Sequence, residues 1–437
     1  MSDDAVNEPE YDWQGYGFAT RQVHAGEIAE AGSGARIQPI AMTAGYRFDS
    51  FDDAAGRFAG EADGLIYSRQ RNPSGAVAER RIASLEGGTE SIVVSSGQAA
   101  LTAALFALAS HGERIVSTAS IYSGTRVLFG RSFARMGVSV DYVWNEFDDD
   151  EWERMITPTT KAIFTETIPN PKNDIVDIAH VARIAQRHGI PLVVDNTIAT
   201  PYLVRPFEHG AAVVVHSSTK FLSGHGAALS GTIVDGGTFD WAASPRSYPL
   251  LTAPSPLGGL SFVDRYGPTA YARAAREAVV NDIGPALSPF NAFLLHQGTE
   301  TLSLRMEAHL TNSVAIANWL AGHPKVESVD FAGLPDSGRA ALAESLYGGR
   351  TGSVFAVTVR GGQAGARRFL NRLRVFSHMT NIGDTRSMAL HPATTTHASF
   401  DPALKERLGI SPGLVRLSVG VEDVGDLIAD LDHALAF

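Results

Sequence analysis

The chain contains no cysteine, and this absence removes several kinds of chemistry. Without thiols, its 437 residues form no disulfide, bind no zinc through thiolates and use no cysteine nucleophile. Positive charge is also scarce, because 36 Lys and Arg residues face 47 Asp and Glu residues and leave a net charge of −11. Such a surplus repels nucleic-acid phosphates and anionic lipid headgroups. The absence of cysteine thus fits a reducing cytoplasm, and the charge predicts neither nucleic acid nor membrane as a partner.

Long apolar runs are lacking as well. A membrane-spanning helix needs about 20 consecutive apolar residues, whereas the best run, 99–109, is shorter and contains Thr102. This run predicts a buried helix. Residues 1–15 are acidic and polar, without the basic start and apolar middle of a secretory signal. We therefore expect no export, and the chain length predicts more than one domain.

Strand-like and helical patterns alternate between about residues 82 and 235, which predicts an α/β fold with a central, mostly parallel sheet. In one repeat of this pattern, helically spaced apolar residues follow Asp177, Gly189 ends the helix, and the apolar strand 191–194 runs into Asp195. Further strands at 353–359 and 414–419 predict a smaller mixed C-terminal domain. A helix is predicted from Ser288 to Trp319, and the Pro- and Gly-rich stretch 240–270 predicts an irregular connection.

The segment after the short strand 91–94 predicts an anion site. Ser95, Ser96 and Gly97 open a helix there, and exposed amides at a helix start favour a phosphate that Gly97 lets approach closely. The alternative is a simple packing turn. The spacing of a dinucleotide-binding fingerprint is absent, because a single glycine stands where three are needed.

Two further polar residues end buried strands. Lys220 follows the strand 211–215, and burial there would lower its pKa and let it bond to an aldehyde or move a proton. Asp195 ends the preceding strand, and a carboxylate at that edge of the sheet can hold a pyridine nitrogen protonated. The alternatives are a lysine that extends into solvent and an aspartate that caps a turn.

Phosphate at Gly97, ring nitrogen at Asp195 and aldehyde carbon at Lys220 together fit one ligand, pyridoxal 5'-phosphate. With these residues in place, the chain resembles the pyridoxal-phosphate enzymes of cysteine and methionine metabolism, from about Phe18 to Leu435. The resemblance implies the type I pyridoxal-phosphate transferase (aspartate-aminotransferase-like) fold. It also implies an N-terminal arm over 1–74 that reaches a neighbouring subunit's site, a large cofactor domain over 75–285 and a C-terminal domain over 286–437.

The resemblance also assigns residues beyond these three. Tyr67 and Arg69 would bind the phosphate of a neighbouring subunit's cofactor, which implies a homo-oligomer, expected to be a tetramer built from dimers. Tyr122 resembles the tyrosine that stacks on the ring and carries protons, and core packing is its alternative. The remaining implied contacts are Gln98, Ser217 and Thr219 to the phosphate, Asn170 near the phenolic oxygen, and Arg416 and Asn381 to the substrate. A surface ion pair is the alternative for Arg416.

Within that family, the segments 381–387 and 391–397 are most similar to the O-acetylhomoserine sulfhydrylases. This similarity implies γ-replacement of acetate by sulfide to give homocysteine, a step of methionine biosynthesis. Cystathionine γ-synthase, O-succinylhomoserine sulfhydrylase and methionine γ-lyase are the alternatives. Many γ-lyases carry a cysteine two places after the stacking tyrosine, where this chain has Gly124. Acetyl and succinyl esters share the homoserine half, and sulfide and methanethiol both stay open as nucleophiles.

Two other enzyme classes fail on physical grounds. The segment 409–413 matches the nucleophile elbow of serine hydrolases, but Pro412 has no backbone N–H to stabilise an oxyanion. His391 and His397 lack the i, i+4 spacing of a helical metal pair, and Pro392 opposes a helix there. We expect no metal. A noncatalytic binding protein is the remaining alternative, and it would not hold pyridoxal phosphate.

Overall fold

The computed structural model describes residues 13–27, 34–254 and 259–437. The first 12 residues of the predicted arm, and Pro256 and Gly258 of the predicted connection, lie outside the described residues. Strands in the described part form two sheets, of seven and of five strands. No helix of the described residues is long and apolar enough to cross a membrane.

In chain order, the strands are β1 Glu90–Val94, β2 Arg114–Thr118, β3 Ser139–Val143, β4 Thr160–Glu166, β5 Leu192–Asp195, β6 Val213–His216, β7 Gly231–Asp235, β8 Val326–Asp330, β9 Val354–Val359, β10 Ser377–His378, β11 Met388–Leu390 and β12 Leu414–Ser418. The helices are α1 Phe18–His24, α2 Phe51–Ala59, α3 Pro73–Glu86, α4 Gly97–Phe106, α5 Ser123–Leu128, α6 Asp149–Met155, α7 Ile178–Arg187, α8 Thr200–Leu203, α9 Pro249–Thr252, α10 Phe262–Tyr266, α11 Ala270–Ala275, α12 Asn281–Ile283, α13 Pro289–Thr299, α14 Leu302–Ala321, α15 Ala340–Tyr347, α16 Gly362–Arg372, α17 Pro402–Arg407 and α18 Val424–Leu435. Two π-helical turns lie at Phe129–Phe133 and Arg276–Val280.

The chain folds into two compact units. The first comprises Met1–Leu108, Ala212–Thr219 and Ala227–Thr301, and the second comprises Ala109–Ala211, Lys220–Gly226 and Leu302–Phe437. The chain passes from the first unit to the second after Leu108, Thr219 and Thr301. The division into 1–74, 75–285 and 286–437 stays a prediction.

In the first unit, β7 pairs antiparallel with both β1 and β6. Helices α3 and α4 pack against these strands. Pro73 begins α3, where its missing N–H costs nothing, and the Asn72 side chain caps the helix by accepting the Ser74 N–H at 2.9 Å. Buried His216, the last residue of β6, contacts buried Glu86 of α3 at 2.6 Å, which ties the end of this strand to the helix.

In the second unit, β2, β3, β4 and β5 are all parallel, with β4 between β2 and β5. The predicted helix–strand repeat is confirmed: Asp177 caps α7 by accepting the His180 N–H at 2.9 Å, Gly189 takes a positive φ of 61°, and β5 ends at Asp195. Every residue of β4 is buried, as expected of a strand covered on both faces, although Thr160, Lys161, Thr165 and Glu166 are polar or charged.

The second unit also contains the predicted mixed C-terminal sheet, in the order β10-β11-β12-β9-β8. Only β10 and β11 are parallel. A cluster of buried side chains, including Phe355, Phe369 and Leu417, packs this sheet against α14, α16 and α18. The predicted α/β class, with a mostly parallel central sheet and a smaller mixed C-terminal sheet, is thus confirmed.

Two local expectations differ from the structure. The stretch 240–270 contains the short helices α9 and α10, because Pro249 lies in the first turn of α9, where proline begins a helix rather than ending one. The helix expected from Ser288 to Trp319 is instead two helices, α13 and α14. The Thr299 hydroxyl donates to the His296 carbonyl at 2.7 Å at this break and so competes with the backbone bonds of the helix.

Candidate active site

The start of α4 in the first unit forms a close-packed cradle. Ser96 caps the helix by accepting the Ala99 N–H at 3.2 Å. A Cβ atom on Gly97 would lie 2.5 Å from Ser217 Cβ and 2.7 Å from Ser217 Cα, so only glycine lets the helix start approach the chain beyond β6 this closely. The first amides of a helix have no intrahelical acceptor. The structure brings Gly97 and Ser217 together at the helix start, where Gln98 is exposed, and their binding of a phosphate stays a prediction.

Three other residues of the first unit are predicted to bind phosphate: Thr219 is buried, and Tyr67 and Arg69 are exposed. The Thr219 hydroxyl donates to the Ser230 carbonyl at 3.0 Å and accepts the Ser230 N–H at 2.9 Å, so its proton is already engaged. Tyr67 is 45% exposed, and exposed Arg69 donates to the Asn281 carbonyl with its guanidinium 5.8 Å from the Tyr67 ring. The phosphate-binding roles of these residues stay predictions.

In the second unit, Lys220 lies beside two other predicted site residues. Its Nζ donates to Asn381 Oδ1 at 2.5 Å. Burial, and then the positive charge of Arg416, lowers the Lys220 pKa to about 8. A lysine that extends into solvent would keep its ordinary value. The structure thus favours a reactive amine at this position.

Arg416, on β12, is only 1% exposed. Its guanidinium donates to the carbonyl oxygens of Met379, Thr380 and Asn381 at 3.1–3.4 Å, and burial lowers its pKa to about 10. In the described residues Arg416 has no carboxylate within ion-pair distance and its buried Nε has no hydrogen-bond partner. The surface ion pair is therefore wrong for Arg416, and an anionic ligand would complete its hydrogen bonds.

Asp195 and Tyr122 are linked through a residue that the sequence reasoning missed, Glu166. Glu166 ends β4 in register with Asp195 at the end of β5. Its Oε1 accepts the Tyr122 backbone N–H at 2.7 Å. Burial, together with the neighbouring Asp195 carboxylate, raises the Glu166 pKa well above its ordinary value. A signal was available, because Glu166 follows a buried strand in the same way as Asp195.

The alternatives for these two residues can be compared with the geometry. Asp195 Oδ1 accepts the Thr197 N–H at 2.9 Å, so the aspartate does cap a turn as well as lying at the strand end. Tyr122 is 41% exposed, which is more than a core aromatic would be. Burial of part of its phenol, and then Glu166, raises the Tyr122 pKa. Asn170 lies four residues beyond Glu166, in the loop where the Pro169 carbonyl accepts the Asn173 N–H.

A second residue that the sequence analysis does not identify binds the turn that follows Lys220. Arg305, on α14, donates to the carbonyl oxygens of Phe221 at 2.6 Å and Leu222 at 3.3 Å. These are the two residues after Lys220, so Arg305 holds the turn that carries the amine. Its own pKa falls to about 10 because the guanidinium is buried. No local sequence signal distinguishes Arg305 from other arginines on helices.

The rejected metal reading also finds no support in the contacts of His391. Its Nδ1 lies 2.8 Å from Thr394 Oγ1 and its Nε2 lies 3.0 Å from the Pro412 carbonyl, so both ring nitrogens already have partners. Burial lowers the pKa of His397 to about 4. These histidines are bound into the surrounding chain.

The residues present fit pyridoxal phosphate. Only glycine fits at the start of α4 beside Ser217, the Arg416 Nε has no acceptor among the described residues, and Lys220 offers an amine of lowered pKa. A family model described as Cys/Met metabolism PLP-dependent enzyme matches residues 19–436. The chain belongs to this family. The protein is thus a pyridoxal-phosphate-dependent enzyme, and the predicted cofactor is confirmed.

Individual relatives are similar in sequence to this protein over nearly the whole chain. The O-acetyl-L-homoserine sulfhydrylase of Corynebacterium glutamicum is 44% identical, over 96% of this chain and 97% of the relative. The O-acetyl-L-homoserine sulfhydrylase 1 of Thermus thermophilus is 42% identical, over 96% of this chain and 100% of the relative. A crystal structure of a putative O-acetylhomoserine (thiol)-lyase from Campylobacter jejuni, which contains N'-pyridoxyl-lysine-5'-monophosphate, superposes with a TM-score of 0.92 at 34% identity and covers 97% of this chain and 100% of that chain.

Proposed function

We propose that the protein is an O-acetylhomoserine sulfhydrylase, which converts O-acetylhomoserine and sulfide to homocysteine and acetate. The observation that carries this proposal is the bond between Lys220 and Asn381. Asn381 begins the segment 381–387, which most resembles the sulfhydrylases, and the structure places this segment against the amine that would do the chemistry. The two curated relatives named above carry the same activity in their names.

The residues that the family resemblance assigns would hold the cofactor. The amides of Gly97 and Gln98 would bind the phosphate, Asp195 would pair with the ring nitrogen, Asn170 would lie near the phenolic oxygen, and Lys220 would attach covalently. When bound, pyridoxal phosphate supplies an electron sink for the negative charge that develops at the substrate α-carbon.

Lys220 would act as the base at the α-carbon. Because its pKa is about 8 rather than the ordinary 10.5, an appreciable fraction of the amine is neutral at neutral pH and can accept a proton. The Asn381 amide oxygen holds Nζ in one place while the amine changes its protonation state. The same amine can later return its proton.

Arg416 would bind the substrate carboxylate. A guanidinium forms two parallel hydrogen bonds to a carboxylate, and its Nε is a donor still without an acceptor among the described residues. A carboxylate fixed there sets the orientation of the α-carbon towards Lys220. The Tyr122 phenol is protonated at neutral pH, and its raised pKa keeps it so at higher pH, so it would serve as a proton donor during departure of acetate.

A product assay tests the proposed reaction. The purified enzyme receives O-acetylhomoserine or O-succinylhomoserine, each with sulfide, methanethiol or cysteine, and separately methionine alone. We expect homocysteine from the acetyl ester and sulfide at a rate well above that of any other pair. Equal or faster formation of cystathionine from cysteine, or release of methanethiol from methionine, would replace the sulfhydrylase with the synthase or the γ-lyase.

We also propose that the active enzyme is a homo-oligomer, a tetramer built from dimers, in which Tyr67 and Arg69 complete a neighbouring subunit's site. In support, large apolar side chains are exposed in the same stretch of chain: Phe51 is 87% exposed and Phe58 71%. Apolar surface of this kind is typical of an interaction face.

Mixing two inactive variants tests this arrangement. Arg69→Ala and Lys220→Ala, unfolded and refolded together, should regain roughly one quarter of the wild-type sites, because half of the dimers are mixed and each mixed dimer has one intact site. No recovery after verified subunit mixing would mean that Arg69 serves its own chain. We further propose a cytoplasmic location, which cell fractionation would check.

A further inference from the structure

Glu166 is a buried acid that the proposed chemistry does not use. It is 5% exposed and ends a strand whose seven residues are all buried. Burying a carboxyl group is unfavourable unless its oxygens have partners, and a like charge nearby makes it more so. The neighbour in register is Asp195. Packing alone would therefore favour an apolar residue at this position.

The contact that Glu166 makes is to the backbone of Tyr122. Tyr122 immediately precedes α5, and this helix has no side-chain cap. The Glu166 carboxyl accepts the Tyr122 N–H at 2.7 Å and so fixes the chain at the residue that carries the ring. The other constraint on the ring is Gly124, where a Cβ atom would overlap the Tyr122 side chain.

We propose that Glu166 is a positioning residue, whose carboxyl oxygen fixes the Tyr122 ring in its place relative to Asp195. The inference rests on the proposed function, in which Tyr122 covers the cofactor ring and Asp195 binds its nitrogen. Glu166 accepts a hydrogen bond from Tyr122 and lies beside Asp195 in the register of the two strands. In this role Glu166 acts through Tyr122, and its length matters more than its charge.

Two variants separate length from charge. Glu166→Gln keeps the side-chain length and an acceptor oxygen but cannot ionise, whereas Glu166→Asp can still ionise but shortens the reach to the Tyr122 N–H. Glu151→Asp is the matched control in the same unit, because Glu151 likewise accepts the backbone N–H groups of Trp144 and Asn145, at 3.0 and 2.9 Å.

The readouts are the visible circular dichroism of bound pyridoxal phosphate, its dissociation constant from the apoprotein, and kcat and KM. We expect Glu166→Asp to change the dichroism and lower kcat roughly 10- to 100-fold, the usual cost of misplacing a group by about 1 Å, with KM little changed. Glu166→Gln and Glu151→Asp should keep the wild-type dichroism and stay within about fivefold of wild-type kcat.

Three results would overturn the inference. Glu166→Asp could show the dichroism and kcat of the wild type, Glu166→Gln could lose as much kcat as Glu166→Asp, or Glu151→Asp could lose as much kcat as Glu166→Asp. Thermal unfolding of the apoproteins shows whether each variant is folded, and if the aspartate variant is not, a changed dichroism in the nearly isosteric Glu166→Gln would still contradict the inference. Failure of the proposed function looks different, because the wild-type protein itself would then bind no pyridoxal phosphate or form no homocysteine.

Discussion

Replacing Gly97 with alanine tests the predicted phosphate site at the position where an added atom would meet its neighbour most closely. The added Cβ would lie 2.5 Å from Ser217 Cβ and 2.7 Å from Ser217 Cα. A backbone neighbour cannot rotate away, so the start of α4 and the end of β6 must separate. Overpacking of this kind costs about 1–3 kcal/mol. This strain should lower the unfolding temperature of the apoprotein, and the part of it that moves the start of α4 away from the phosphate should weaken pyridoxal phosphate binding by up to roughly 100-fold, because about 1.4 kcal/mol corresponds to a tenfold change in affinity.

The assay is equilibrium titration of the apoprotein with pyridoxal phosphate, followed by its visible absorption, beside thermal unfolding. Gly130→Ala is the matched control, because a Cβ on Gly130 has nothing within 4 Å and its φ is ordinary. This control should bind the cofactor as the wild type does. Unchanged affinity in Gly97→Ala, or an equal loss in Gly130→Ala, would refute the assignment of the cradle.

Three further predictions follow from the second unit. Gly124→Cys, which introduces the side chain that many γ-lyases carry, should displace the Tyr122 ring, change the dichroism of the bound cofactor and lower kcat; an unchanged spectrum would contradict this. Arg416→Lys keeps the charge but loses the planar fork, so KM for O-acetylhomoserine should rise roughly 10-fold or more while kcat changes less. Because the Lys220 pKa is lowered to about 8, the amine is protonated below that pH and neutral above it. Attachment of pyridoxal phosphate to the apoprotein should therefore accelerate as pH rises, with a midpoint near pH 8, and Arg416→Met should move that midpoint upward; a wild-type midpoint near 10.5 would contradict the buried position of the amine.

The fold class and the strand-end residues were accessible from the sequence because their signals are local. An apolar run followed at once by a polar residue marks the end of a buried parallel strand, and Asp195 shows this pattern. Gly97 is marked in a similar way, by the small residues that open a helix directly after a strand. Spacing of one strand–helix–strand interval then relates Asp195 to Lys220.

Contacts between distant segments were not accessible in this way. Glu166 and Tyr122 are separated by 44 residues, and Lys220 and Asn381 by 161, so no periodic pattern relates them. The resemblance implies Asn381 as a substrate ligand, which stays a prediction, and its bond to the lysine amine is visible only in the folded chain. The sequence predicts an irregular connection over 240–270 because prolines are frequent there. Whether a proline begins or ends a helix depends on its position within a turn, and only the folded chain shows that position.

Covalent attachment of the cofactor to Lys220 is the central claim, and reduction by borohydride tests it most directly. The chain has only five lysines, and the other four are Lys161, Lys172, Lys325 and Lys405. After reduction with pyridoxal phosphate present, proteolysis and mass spectrometry should find the pyridoxyl group on the peptide that contains Lys220, and Lys220→Ala should remain folded but carry none. A pyridoxyl group on any other lysine, or its persistence in folded Lys220→Ala, would contradict the account.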